Sequence, residues 1–523
     1  MAHNQQQQPG SSGPANEYHT GGQQQQLLEQ PSAPNSASYS RQRGAPRRLE
    51  SKQAFEERFR VVRPKWNDLW AGILLIAIFL GFAAVSAFSI RGFTVAISAG
   101  NQKGHVSGKE FGLVTSSVVL FALVLAVAFT LSYAYLWGAR VFTKQFIWFT
   151  GIVQVVFGIG SAVYYFSQRY YSAGIIFALF AVFYVICFIS WIPRIPFSVL
   201  MLQTTIDVAK KYGHVFMVSF IGGLIGLAFA AWYSVTLVAI IVRYSPSDKN
   251  PVCKKGKGGG CSSSMVIGLV LFVTFAAFWI SEWLKNTIHT TIAGIYGSWY
   301  FCSRRPGGFP TGATIGALRR ALTYSFGSVS LGSLIVSSIQ LLRHVVGLVQ
   351  QRASADGNII GSCFLCITGF LISFIEWFVE FINHYAFSHI ALYGRPYFAS
   401  AKETWTMIKD RGMDALVNDC LIDPVLTMGS IAMGYLCAFL AFLYLKITKP
   451  EYNSDGSFTP FVMAFSFLIG LQVCNVFMVP IKSGTATIFV AAAWDPQILV
   501  EGFPDLYQKM VAVYPHVQQA IHV

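Results

Sequence analysis

The residues of this chain best placed to do chemistry lie on two apolar stretches. In FIEWFVEFINHYAFSHIALYGRPYFASAKETW, from Phe374 to Trp405, Glu376, Glu380 and His384 follow one another at four-residue steps. In WISEWLKNTIHTTIAGIYGSWYF, from Trp279 to Phe301, Glu282, Asn286 and His289 fall on nearly one face, and Lys285 stands three residues from Glu282, where it can offset the charge. On a helix, groups spaced by three and four residues share a side. A face of this kind is not tolerated against lipid. Inside a membrane it looks into a bundle or a polar cavity, and it is there a functional site by default. A second reading ends the apolar runs near Trp279 and at Glu376 and leaves the acids at the headgroup level. The sequence leaves both open.

Ordinary enzyme chemistry has no footing. The chain holds no H-E-x-x-H, P-loop, G-x-S-x-G or dinucleotide fingerprint. His289, His384 and His389 are remote from any cysteine cluster, so a metal site would rest on coincidence. The expectation is a protein that is not an enzyme and has no cofactor or metal.

The elements that must position these faces follow from composition. Of 523 residues, 54% are hydrophobic and only 12% charged, with a mean hydropathy of +0.50. Soluble domains carry about 25% charged residues, so the chain is expected to be an all-α polytopic membrane protein. The net charge of +15 sits mainly in short segments between apolar runs. That is the pattern of cytoplasmic loops and gives no module for nucleic acid.

Residues 1–64 read as a disordered cytoplasmic tail, Gln-rich at first and basic from Arg41 onward. Residues 65–482 read as ten transmembrane helices, with further helices lying along the interface. The first span runs from about Leu69 to Ile90, capped by Asn67 or Asp68, and a polar loop is expected from Gly92 to Lys109. The fifth carries Gly222 and Gly226 in a G-x-x-x-G spacing that allows close helix contact. The segment after Pro193 reads as an interfacial helix, and the connector before Asp423 as one or two more, broken at Gly412. The ninth span is expected from Val425 to Leu445 and the tenth from Phe461 to Val479, with 483–523 a cytoplasmic C-terminal segment. Cys253 and Cys261 bracket the loop KKGKGGG, and a disulfide closes it if the loop is extracellular. The C-x-x-C pair Cys363 and Cys366 is read as chance, because it lies inside an apolar run.

FAAFWISEWLKNTIHTTIAGIYGSWYF, RALTYSFGSVSLGSLIVS and INHYAFSHIALYGRPYFASAKETW resemble the choline transporter-like family, with WNDLWAGILL, RYYSAGIIF and IKSGTATIFVAAAWDP in the same order. The likeness runs from Lys65 to His516 and is strongest to the fungal branch, the pH-nine-sensitive proteins. The resemblance implies a ten-helix carrier with cytoplasmic termini in the plasma membrane, moving choline, ethanolamine or another small organic cation.

A choline-like substrate is a permanent cation whose nitrogen donates no hydrogen bond. It is held by aromatic faces, worth about 0.5 to 2 kcal/mol each, and by an acidic group. The two segments supply both ingredients, in Trp279, Glu282, Trp283 and Tyr296, and in Glu376, Trp377, Glu380 and Tyr385. The same tryptophans would equally serve as an interfacial belt. His289 or His384 would permit proton coupling, and Gly222, Gly297 and Gly332 close packing and rearrangement. The competing functions are a channel, a scaffold that engages anionic membrane lipid or partners, and a carrier for a different amine. The oligomeric state is left open.

Overall fold

A hydrocarbon core about 30 Å thick takes roughly 20 helical residues to cross, and among the described residues ten helices are long and apolar enough to do so. The computed structural model describes residues 65–100, 115–169, 171–244, 262–304, 307–356, 359–410, 414–450, 453, 456 and 458–513. The helices are α1 (Leu69–Gly100), α2 (Thr115–Val141), α3 (Thr143–Ser167), α4 (Tyr171–Trp191), α5 (Ile195–Lys211), α6 (His214–Tyr244), α7 (Ser263–Cys302) and α8 (Ala313–Leu322). They continue as α9 (Phe326–Ala355), α10 (Ile359–Tyr393), α11 (Tyr397–Asp410), α12 (Asp414–Thr448), α13 (Thr459–Trp494), α14 (Pro496–Gly502) and α15 (Pro504–Val513). The described residues contain no strand. The expected pairing of Cys253 with Cys261 lies outside the described residues, and Cys363 and Cys366 are free thiols.

Several helices outrun the spans read from the sequence. α1 continues to Gly100 where a loop was expected from Gly92. α7 is unbroken for 40 residues, about 60 Å at 1.5 Å per residue, twice the hydrocarbon thickness. Its last two turns enter a layer at one end of the bundle, where Trp299 and Tyr300 pack on Phe503 just ahead of α15. α12 runs through Pro424 and α13 through Pro480, so neither starts nor stops where its proline and neighbouring charge made a boundary look natural. α11 ends at Asp410 and α12 begins at Asp414, on either side of the expected break at Gly412. The connectors at the end of the bundle holding α5, α8 and α11 carry Arg194, Lys210, Lys211, Arg319, Arg395 and Lys402. This is called the basic end below.

With lipid outside, helices gain little from hydrophobicity and associate through close contact of small residues. Gly222 of α6 lies so near α7 that a Cβ there would meet Ile288 Cδ1 at 2.3 Å, and Gly226 faces Leu284, which is the contact that the G-x-x-x-G spacing predicts. α9 buries Ser328, Ser330, Ser333 and Ser337. Three of these bond within the helix or to α7, and Ser328 donates to Asp68.

Asn67 or Asp68 was expected to cap α1. Instead the Asp68 carboxylate accepts from Ser328 Oγ at 2.6 Å and from the Tyr397 backbone N–H at 2.8 Å, at the first turn of α11. An anion there satisfies an orphan helix donor and meets the positive end of the helix dipole. Asn67 Nδ2 donates to the Gly394 carbonyl at the end of α10. The start of α1 thus clamps α9, α10 and α11 together. Burial pushes the Tyr397 hydroxyl up to about 12, which keeps it a donor to Asn383 Oδ1 on α10.

Candidate functional site

The two polar faces meet. About midway along α7 and α10, Lys285 Nζ donates to Glu282 Oε1 and to Glu380 Oε1, each at 3.2 Å, so one ammonium ties two carboxylates on two helices. Gln340 of α9 donates to Glu282 Oε1 at 3.1 Å, and Asn286 donates to Ser333 Oγ at 2.9 Å. Lys482 of α13 donates to Asp423 of α12 at 2.5 Å. These charged groups line a single cavity of about 690 Å³, with Tyr184 and Trp191 of α4 and Trp377 and Phe381 of α10 among its aromatic walls.

Local sequence explains why the charges are tolerated there. A proline inside a helix removes one intrahelical bond and loosens the preceding turn. Pro424 and Pro480 do so beside Asp423 and Lys482, where a hydrated cavity can satisfy the freed backbone groups. Of the acids that line the cavity, Glu282 is the most buried, with its side chain 11% exposed, and it has both Lys285 and Gln340 as donors.

The charge count decides what the cavity favours. Glu282, Glu380 and Asp423 share the lining with Lys285 and Lys482, so three carboxylates face two ammonium groups and one negative charge is left over while His384 is neutral. Toward the basic end the space closes. Residues 289–300 of α7 and 385–392 of α10 are buried without interruption, and Tyr296, Tyr385, Ile481 and Ile488 belong to one packed core.

Of the residues singled out in the sequence, Glu282, Trp377, Glu380 and His384 line this cavity. His289 lies directly behind His384, the two rings 4.2 Å apart between centroids. It bonds Ser483 Oγ through Nδ1, and the His384 carbonyl and Ser388 Oγ through Nε2. Glu376 pairs with Arg343 of α9 at 3.1 Å. The remaining four point elsewhere. Trp279 donates to the Ser330 carbonyl at 3.0 Å in a fully buried position. Trp283 packs edge-on against Phe326 and walls a different, lipid-facing groove. Tyr296 donates to the Thr205 carbonyl, its ring against Gly484, and Tyr385 is a core residue against Phe381 and Phe489.

Sequence reasoning missed Asp423 and Lys482, together with the aromatic wall of Tyr184 and Trp191. The available signal was a charge within two residues of a proline inside a long apolar run, at Asp423-Pro424 and Pro480-Ile481-Lys482. For α4 no signal existed, since its apolar residues surround the helix evenly.

Fold and site together define a polytopic α-helical membrane protein with a charged, aromatic-walled cavity midway through its bundle. Residues 175–497 match the family described as plasma-membrane choline transporter, and the chain belongs to this choline transporter-like family. It is similar to Protein PNS1 of Gibberella zeae, 56% identical over 470 residues, covering 90% of this chain and 86% of that one. Protein pns1 of Aspergillus fumigatus is 55% identical over 469 residues, covering 89% and 87%. Protein PNS1 of Saccharomyces cerevisiae is 40% identical over 458 residues, covering 87% and 85%. The expected membership, and its fungal branch, are both met.

Proposed function

We propose that the cavity binds a small monovalent organic cation of the choline and ethanolamine class, and that the chain carries it across the plasma membrane by alternating access. The observation that carries this reading is the unbalanced charge of the lining beside aromatic faces. A quaternary ammonium would replace or share Lys285 between Glu282 and Glu380, with Trp377 and Trp191 offering π-faces. The packed layer between the cavity and the basic end favours a carrier over an open channel, because a carrier must close on one side. Placing the basic connectors in the cytoplasm follows the positive-inside rule and puts both termini there.

Labelled choline uptake into proteoliposomes tests the proposal. Uptake is expected to saturate and to be competed by unlabelled choline and ethanolamine. Glu380→Gln removes the acid more open to the cavity, with its side chain 38% exposed, and is expected to raise the half-saturation concentration about tenfold, equivalent to about 1.4 kcal/mol. Absence of saturable uptake across a broad cation panel, by protein shown to be folded, would overturn the reading. Non-saturating conductance in planar bilayers would instead identify a channel.

The two adjacent imidazoles carry a finer part of the same proposal. His384 faces the cavity near Lys285 and Lys482, and His289 continues from it to Ser388, Ser483 and Thr487. A second cation in this surrounding is repelled by both lysines, so a proton on the pair and a substrate in the cavity oppose each other. Uptake is therefore expected to depend on an imposed pH gradient, and His384→Gln to leave saturable uptake that ignores the gradient. Equal gradient dependence in the variant and the parent would remove the histidines from the mechanism.

A further inference from the structure

A second concavity, of about 820 Å³, opens on the lipid-facing side of α1, α6 and α7. Ile73, Phe79, Ala228, Trp232 and Trp283 are among its walls, which are built of apolar side chains. Along α1 the lining runs from Leu69 to Phe79, about 15 Å of helix. That is half the roughly 30 Å hydrocarbon core, so the groove has the depth of one leaflet.

Its mouth has a different chemistry. Trp66 and Leu322 form the rim at the basic end. Beside Trp66 stands Lys65, which is exposed. Leu322 ends α8, whose Ala313, Ala317 and Ala321 are buried, Ala317 against Gly294 of α7. Ile315, Leu318 and Leu322 are exposed on the opposite side, and Arg319, also exposed, falls within that stripe. A short helix with an apolar stripe and basic residues beside it lies at headgroup level, its arginine reaching for water or phosphate.

We propose that this groove binds one glycerophospholipid with an anionic headgroup, from the leaflet at the basic end, its acyl chain between α1, α6 and α7 and its phosphate between Lys65 and Arg319. Two cations at the mouth match a phosphate-bearing headgroup, whereas the hydroxyl of a sterol offers them no charge. The position gives the lipid a lever on the cavity. Ile280, Trp283 and Leu284 wall the groove while Glu282, Lys285 and Asn286, on the same turns of α7, wall the cavity. A chain seated in the groove holds the turn that carries Lys285.

The test reads lipid rather than transport, so its failure is separate from failure of the cation proposal. Full-length protein is delipidated in detergent, mixed with phosphatidylglycerol or phosphatidylcholine of identical chains, and examined by native mass spectrometry. One phosphatidylglycerol is expected to be retained in preference to phosphatidylcholine. A basic side chain near an anionic membrane is worth about fivefold in binding, so Lys65→Gln with Arg319→Gln is expected to reduce phosphatidylglycerol retention about thirtyfold. Ala228→Trp, a substitution at an exposed position that fills the groove, is expected to remove retention of both lipids with the unfolding temperature unchanged. If that variant unfolds, Ile73→Trp replaces it. Equal retention of the two lipids by the parent, undiminished retention in a folded groove-filled variant, or displacement of the phospholipid by ergosterol would overturn the proposal.

Discussion

Lys285→Met is expected to destabilise the protein by about 2 kcal/mol, and a second substitution, Glu282→Gln, to restore most of the loss. Removing the ammonium leaves Glu282 with the Gln340 amide as a donor and leaves Glu380 facing it across the cavity. Breaking a fully buried ion pair costs about 3–5 kcal/mol. The figure here is lower because Lys285 is 60% exposed, and water in the cavity screens the charges it leaves behind. Neutralising Glu282 then removes the repulsion and the desolvated charge together, so the two substitutions are strongly non-additive. Thermal unfolding in detergent micelles of the two single variants and the double variant measures the cycle. Additive losses would mean that Lys285 is held by packing and not by its carboxylates.

This cycle turns on a contact between helices that the sequence could pose as a question but not answer. The polar faces of α7 and α10 were legible because lipid forbids them: Glu282 with Asn286 and His289, and Glu376 with Glu380 and His384, are the positions at which an apolar run breaks its own rule. That the two faces meet through Lys285 depends on packing among α7, α9 and α10, which the three- and four-residue spacing on each helix does not encode. Helical geometry would have trimmed the aromatic candidates. Tyr296 is turned only about 40° from Glu282 but lies about 21 Å along the helix from it, and Tyr385 is turned about 140° from Glu380. Trp283 is turned about 100° from Glu282, enough to carry it into the lipid-facing groove.

The span boundaries failed for a related reason. Proline and charge together usually mark the end of a membrane helix, and at Asp423-Pro424 and Pro480-Ile481-Lys482 they marked the middle of one. The exception is permitted only where irregular backbone and charge line a protein-enclosed polar space. The misread ends of α12 and α13 and the missed half of the site are therefore one error: both helices continue because the cavity is there. The ten-helix count survived it, because each apolar run was long enough to be counted whichever way its end was placed.

Gly327→Ala is expected to be the most damaging small substitution in the bundle, costing about 3 kcal/mol or more. A Cβ at this position would stand 2.3 Å from the Asp68 carbonyl oxygen and 2.4 Å from that of Asn67. Both obstacles are backbone, so no rotamer change relieves the overlap, and overpacking that forces backbone to move costs about 1–3 kcal/mol or more. The displaced segment is also the clamp: moving it stretches the bonds from Ser328 and Tyr397 to Asp68 and from Asn67 to Gly394. The same change at Gly347, twenty residues along the same helix, meets nothing within 4 Å and should stabilise by up to about 1 kcal/mol through helix propensity. Opposite shifts in unfolding temperature for one chemical change in one helix would separate the clash from any general intolerance of α9 to alanine. A Gly327→Ala protein as stable as its parent would show that the start of α1 moves freely over α9, and with it that the clamp does not hold α10 and α11 in place.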